Sequence, residues 1–148
     1  MIALMVATGS REGVATFRLS KSPDASSFTD TDFLRSELEL TKITVPAIRL
    51  DKLVNELGNQ FKNKNTVLMK IDVEGYGLEV IRGAREIISR FKPYIIFEIH
   101  RTFDETDELR AVKELVDLGY KFKVVEYRSN KNFILFLYPS GGKLHGVL

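Results

Sequence analysis

Two stretches of this sequence end in groups able to do chemistry. Val67-Leu68-Met69-Lys70-Ile71 runs into Asp72 and Glu74, and Tyr94-Ile95-Ile96-Phe97 runs into Glu98 and His100. A histidine titrates near neutrality and serves as a general base, while carboxylates orient it, bind a cation or hold a hydroxylated ligand. Asp72 stands five residues after Val67 and Glu98 five after Pro93, so two adjacent parallel strands of equal length would present acids at the same edge. Side chains two apart share a strand face, which lets Asp72, Glu74, Glu98 and His100 converge on one cleft. In open parallel sheets, ligands bind beyond the carboxyl ends of the strands. A cation bridging Asp72 and Glu98 has carboxylate spacing behind it and nothing more. The plain alternative is that these are solvated strand-end acids, with Glu74 capping the first turn of the helix that follows.

Neighbouring residues add weaker signals. Gly75 and Gly77 open a helix after a strand, but Val80 stands where a dinucleotide-binding fingerprint needs its third glycine, so a tight strand-to-helix turn is the expected reading. Asp72-Val73-Glu74-Gly75 has some likeness to the D-x-D-G of magnesium-dependent phosphotransferases, with Asp72 as nucleophile, although Glu74 replaces the second aspartate. Tyr76 can stack on a ligand or simply pack. His145 has no partner at a useful spacing.

The elements that position these groups follow from periodicity. The near-continuous apolar character of Val67 to Ile71 predicts a strand buried on both faces. Leu78, Ile81, Ala84, Ile88 and Phe91 recur every three or four residues, which predicts one helix packing one face inward and stopped by Pro93. Strand, helix, strand then gives a right-handed parallel crossover. Thr102 and Glu105 have capping-box spacing for a further helix, lined by Leu109, Val112, Leu115 and Val116 and ended at Gly119. Phe122 to Tyr127 and Asn132 to Tyr138 read as a closing antiparallel hairpin. Upstream, Ile2 to Ala7, the Gly9 to Gly13 turn and Val14 to Leu19 read as strand, turn, strand. Ser20 to Lys42, with Pro23, Ser26 and Ser27, reads as a surface excursion holding a brief helix around Phe33 to Leu40. Ile43 to Ile48 is expected at a sheet edge because Pro46 cannot donate to a ladder. Leu50, Leu53, Val54 and Leu57 predict a short helix stopped at Gly58, from which a loop, Asn59 to Asn65, leads to Val67, and the tail from Pro139 is expected to fray.

Composition narrows the classes. A chain of 148 residues fits one domain, residues 1–148, with an ordinary core. Twenty-two Lys and Arg against 20 Asp and Glu, without a clustered basic face, argue against nucleic acid as partner. Zero cysteines exclude a disulfide scaffold and a thiol nucleophile. No apolar run is long enough to span a bilayer and no basic n-region precedes one, which makes a cytoplasmic protein without a membrane partner the default expectation.

Lys70-Ile71-Asp72-Val73-Glu74-Gly75, Leu78-Glu79-Val80-Ile81, Gly83-Ala84 and Pro93-Tyr94-Ile95-Ile96-Phe97-Glu98-Ile99-His100 together resemble the C-terminal portion of an FkbM-type methyltransferase domain. Weaker echoes are Ala7-Thr8-Gly9 with Gly13, Ser26-Ser27, and Val45 to Leu53 with Leu50-Asp51. The resemblance implies an α/β fold with a Rossmann-like class I methyltransferase sheet, mostly parallel and closed by a C-terminal antiparallel hairpin. It implies S-adenosylmethionine (SAM) as cofactor, with Ala7 and Asp72 on the cofactor side. The implied reaction is methyl transfer to a hydroxyl of a small molecule or sugar, with Asp72 and Glu74 near the cofactor or acceptor and His100 or Glu98 as base. Gly77 departs from the acidic residue usual at its position. The family's SAM-binding glycine loop and ribose-holding acid would precede the segment around Ala7, so the sheet is expected to lack its first strands. A homodimer or a partner chain is then expected to cover the open edge. A non-catalytic interaction module and the magnesium phosphotransferase remain as alternative functions.

Overall fold

The computed structural model describes residues 3–20, 39–58, 67–73, 75–100, 105–128 and 132–141. Pro23, Ser26, Ser27, the loop Asn59 to Asn65, Glu74, Thr102 and His145 lie outside the described residues, as does the helix expected around Phe33 to Leu40 except for its last two positions, which belong to a strand. Among the described residues the elements run in the order β1 (Ala7–Thr8), β2 (Gly13–Ser20), β3 (Glu39–Ile48), α1 (Leu50–Glu56), β4 (Leu68–Ile71), α2 (Gly77–Gly83), α3 (Arg85–Phe91), β5 (Tyr94–His100), α4 (Glu105–Asp117), β6 (Tyr120–Tyr127) and β7 (Asn132–Pro139). Among the described residues, no helix is long and apolar enough to cross a membrane.

The fold is α/β with two mixed sheets, ordered β1-β3-β2 and β4-β5-β7-β6. Two pairings are parallel, β1 with β3 and β4 with β5, and the other three are antiparallel, so the described strands do not make a mostly parallel sheet. β4 and β5 pair in parallel as expected, with Leu68 opposite Tyr94 and Ile71 opposite Phe97. The β6–β7 hairpin is present as well, with Phe122 opposite Leu137.

Several expectations about individual elements give way to packing. Among the described residues β4 pairs with β5 alone, at the edge of its sheet, and Leu68 is 61% exposed while Ile71 is buried, so this strand is not covered on both faces. Pro46 sits in the central strand of its sheet instead of at an edge. It is tolerated there because β1 meets β3 only at Ala47 and Ile48, one residue beyond the proline. That short contact also leaves Leu4 and Met5 exposed and outside the ladder, so the first strand is two residues long. The single helix expected from Leu78 to Phe91 is two, broken at Ala84. In α4 the buried stripe is Glu108, Ala111, Val112 and Leu115, whereas Leu109 and Val116 face water.

The break at Ala84 is held by a side chain from elsewhere. Asp51, buried in α1, accepts the backbone N–H of Glu86 (3.2 Å) and of Ile87 (2.9 Å), the orphan donors in the first turn of α3. Arg49 donates to the same carboxylate at 3.0 Å. Lys92, in the left-handed region at φ 46°, ends α3 and hands the chain to Pro93 and β5. Ile81, Ile88, Ile95, Phe97, Ile99, Leu115 and Leu137 fill the core between the helices and the four-stranded sheet. Gly77 lies so close to Phe97 that a Cβ there would overlap its ring, and a Cβ on Gly83 would overlap the carbonyl of Gly9. These two glycines let α2 lie against β5 and against the turn after β1.

Candidate functional site

Parallel register brings the two acid-bearing strand ends side by side. Ile71 pairs with Phe97, which sets Asp72 beside Glu98 at the carboxyl edge of β4 and β5. On β5, Ile95, Phe97 and Ile99 enter the core, and Glu98 and His100 share the opposite face. His100 Nε2 lies 3.5 Å from Asp72 Oδ1 and 3.9 Å from Glu98 Oε1. One potential ligand atom from each of the three residues falls within 4.8 Å of the others. Glu74 lies outside the described residues, so of the four expected site residues three are brought together.

Each member of the cluster has its own support. Glu98 is 4% exposed; its Oε1 accepts from Arg128 Nη1 at 2.9 Å, and its buried Oε2 has no hydrogen-bond partner among the described residues. Asp72 is partly exposed and takes Lys70 Nζ on Oδ2 at 2.6 Å. Burial alone would raise the Asp72 pKa, but hydrogen bonding and charge from Lys70, reinforced by His100, outweigh it and hold the carboxyl below its ordinary value. His100 is 7% exposed, and its backbone N–H donates to Glu108 Oε2 at 2.6 Å. Glu108 thereby ties α4 to the end of β5.

The remaining expected residue, Ala7, lies apart from the cluster. It is buried in β1 and lines a cavity of about 240 Å³ with Thr8, Gly9, Arg11, Glu12 and Tyr76. The link between the two places is the turn at Gly75 (φ 77°), which follows Asp72 by three residues and delivers Tyr76 to the cavity wall. The glycine turn is therefore a tight connection, as expected, and Tyr76 is a lining residue. Burial and the Glu79 carboxylate raise the Tyr76 pKa, with Arg11 opposing them, so the phenol stays neutral and able to donate. Ser10 donates to Glu79, joining the turn after β1 to α2. A second cavity of about 180 Å³ is lined by apolar side chains, among them Leu50, Val54, Leu68, Ile87 and Phe91.

Sequence reasoning missed Arg128, Glu108 and Asp51. Arg128 is found through the hairpin, whose β6 end comes level with Ile134, the residue opposite Glu98. Glu108 was legible from phase, since it lies three, four and seven residues before Ala111, Val112 and Leu115. Asp51 carries no local signal for its role, because the helix it caps begins 34 residues later.

The fold is thus an α/β domain that groups a His and two carboxylates at the ends of two adjacent parallel strands. The particular family is shown by comparison: the chain matches the family described as Methyltransferase FkbM domain over residues 3–122, and it belongs to that family. No curated protein and no solved structure matches it.

Proposed function

We propose that this chain is a SAM-dependent methyltransferase of FkbM type, moving a methyl group to a hydroxyl of a small molecule or sugar. The observation that carries the reading is the convergence of Asp72, Glu98 and His100 at one sheet edge in a chain of this family. The cavity beside Ala7 suits the cofactor chemically. It offers the Tyr76 ring, the Arg11 cation and the Glu12 carboxylate to a ligand that carries an aromatic base, a carboxylate and hydroxyls. Ala7 would lie against the cofactor and Asp72 at its reactive end. A Rossmann-like class I sheet is the frame this reading assumes.

When bound, SAM supplies a methyl carbon made electrophilic by a sulfonium. The chain must then align the acceptor oxygen in line with that carbon and take its proton. His100 Nε2 accepts the proton in this account, and Asp72 Oδ1, 3.5 Å away, balances the resulting imidazolium charge. Glu98, held by Arg128, is the alternative proton acceptor and adds a second negative charge 3.9 Å from the ring. Near-complete burial of Glu98 and His100 keeps water from competing for the proton.

Family membership favours this over phosphotransfer from Asp72, whose Oδ2 is engaged by Lys70. The test is transfer of labelled methyl from SAM to a panel of sugars and aliphatic alcohols by the parent chain and by Asp72→Asn. Product formed by the parent and reduced at least about tenfold in the variant supports the reading. Equal rates in the two would remove Asp72 from the chemistry.

A further inference from the structure

We infer that Asp72, Glu98 and His100 form a binding site for a divalent transition-metal ion of the Mn2+ kind. The inference deepens the site described above and changes one role in it: an ion on Nε2 makes His100 a ligand, which cannot at the same time take the hydroxyl proton, and ion binding is read without methyl transfer. Metal–ligand bonds of about 2.1 Å place neighbouring donor atoms roughly 3.0 to 4.2 Å apart, depending on the angle at the metal. The Nε2 to Oδ1 and Nε2 to Oε1 separations of 3.5 and 3.9 Å fall inside that range. The whole donor set lies within 4.8 Å.

A second observation points to a missing ligand. Among the described residues, Glu98 Oε2 is buried without a hydrogen-bond partner, in a residue only 4% exposed; it belongs to the carboxylate whose other oxygen, Oε1, accepts from Arg128 and lies 3.9 Å from His100 Nε2. A buried carboxylate oxygen left unpaired is destabilising, more so when charged, and a metal ion is one of the few groups that removes the cost. The surroundings already orient the donors. Lys70 holds Oδ2 of Asp72 and leaves Oδ1 toward the imidazole, Arg128 fixes the Glu98 carboxylate, and Glu108 anchors the His100 backbone. Such outer partners are what a metal site needs to hold its ligands in register.

The donor chemistry selects the ion. One imidazole nitrogen with two carboxylate oxygens suits Mn2+ or Fe2+, because the nitrogen makes an all-oxygen Mg2+ or Ca2+ site a poorer match and no thiolate is present. Three protein ligands leave coordination positions open to water or to an acceptor hydroxyl. An ion there takes the place of the proton as the positive charge that Asp72 and Glu98 balance.

The experiment is a Mn2+ titration of the full chain, followed by loss of the free-ion electron paramagnetic resonance signal. Parent, Asp72→Asn, His100→Gln and the control Asp107→Asn are compared, with circular dichroism to check folding. Asp107 is partly exposed on α4, paired with Arg110, and is not among the three grouped donors. Expected is one saturable site per chain, weakened by about 10–100-fold or more in Asp72→Asn and His100→Gln and unchanged in Asp107→Asn. If His100→Gln unfolds, Asp72→Asn decides, since its side chain is 38% exposed and its loss leaves the core intact. The inference is overturned by a parent chain that binds no Mn2+, or by binding that survives Asp72→Asn undiminished. SAM titration gives a separate answer, so either result can fail without the other.

Discussion

Asp51→Ala tests whether the two-helix arrangement that leads into β5 is held by a distant carboxylate. Asp51 is 2% exposed and accepts two backbone N–H groups at the start of α3, at 3.2 and 2.9 Å. Hydrogen bonds to a charged acceptor contribute about 1.5–3 kcal/mol each, and only the bond from Ile87 is fully buried. Water can partly replace the other, which brings the expected cost to about 2–4 kcal/mol. Asp51→Asn keeps one acceptor oxygen but turns an amide N–H toward the other donor, so it should cost roughly half as much. For a chain of this size, a loss near 3 kcal/mol lowers the melting temperature by about 6–12 °C. Urea unfolding followed by far-ultraviolet circular dichroism reads the difference, with the slope expected to stay unchanged. An Asp51→Ala chain within about 0.5 kcal/mol of the parent, the range of an ordinary surface change, would refute the capping role.

Further outcomes follow from the packing and charges. Gly77→Ala drives a Cβ into the Phe97 ring and should cost about 1–3 kcal/mol, whereas Gly58→Ala, with open space around it, should be near neutral in the same melts. Arg128→Ala strands the buried Glu98 carboxylate and should cost about 1–2 kcal/mol, reduced from a fully buried pair because Arg128 is half exposed; Arg128→Lys should recover part of it, as denaturant midpoints will show. The Asp72 carboxyl is held below its ordinary value of 3.8 in the folded chain, so its contribution is present above that pH and lost as pH falls through the lowered value. The stability gap between parent and Asp72→Asn should accordingly shrink between pH 6 and pH 2, and a gap that grows on acidification would contradict the Lys70 and His100 contacts.

How much of this was legible in the sequence depends on whether the cause was local. The equal lengths of the two apolar runs were enough to place Asp72 beside Glu98, because parallel register is set by strand ends, and the period of two placed His100 on the same face as Glu98. The hairpin and α4 were legible for the same reason. The split at Ala84 was not, since the apolar repeat runs unbroken through it and the stabilising group, Asp51, comes from another helix. Nor was the edge position of β4, because a run of apolar residues reads the same whether one or two neighbours cover it; Lys70, exposed in the middle of the run, was the available warning. Arg128 reaches Glu98 only through the β5–β7–β6 order, which no single segment encodes.

The most direct test of the account is a calorimetric titration of the full chain with SAM. Saturable one-to-one binding, competed by S-adenosylhomocysteine and weakened when Tyr76→Ala opens the wall of the cavity beside Ala7, is the predicted result. A folded chain that gives no binding heat at millimolar SAM would contradict it.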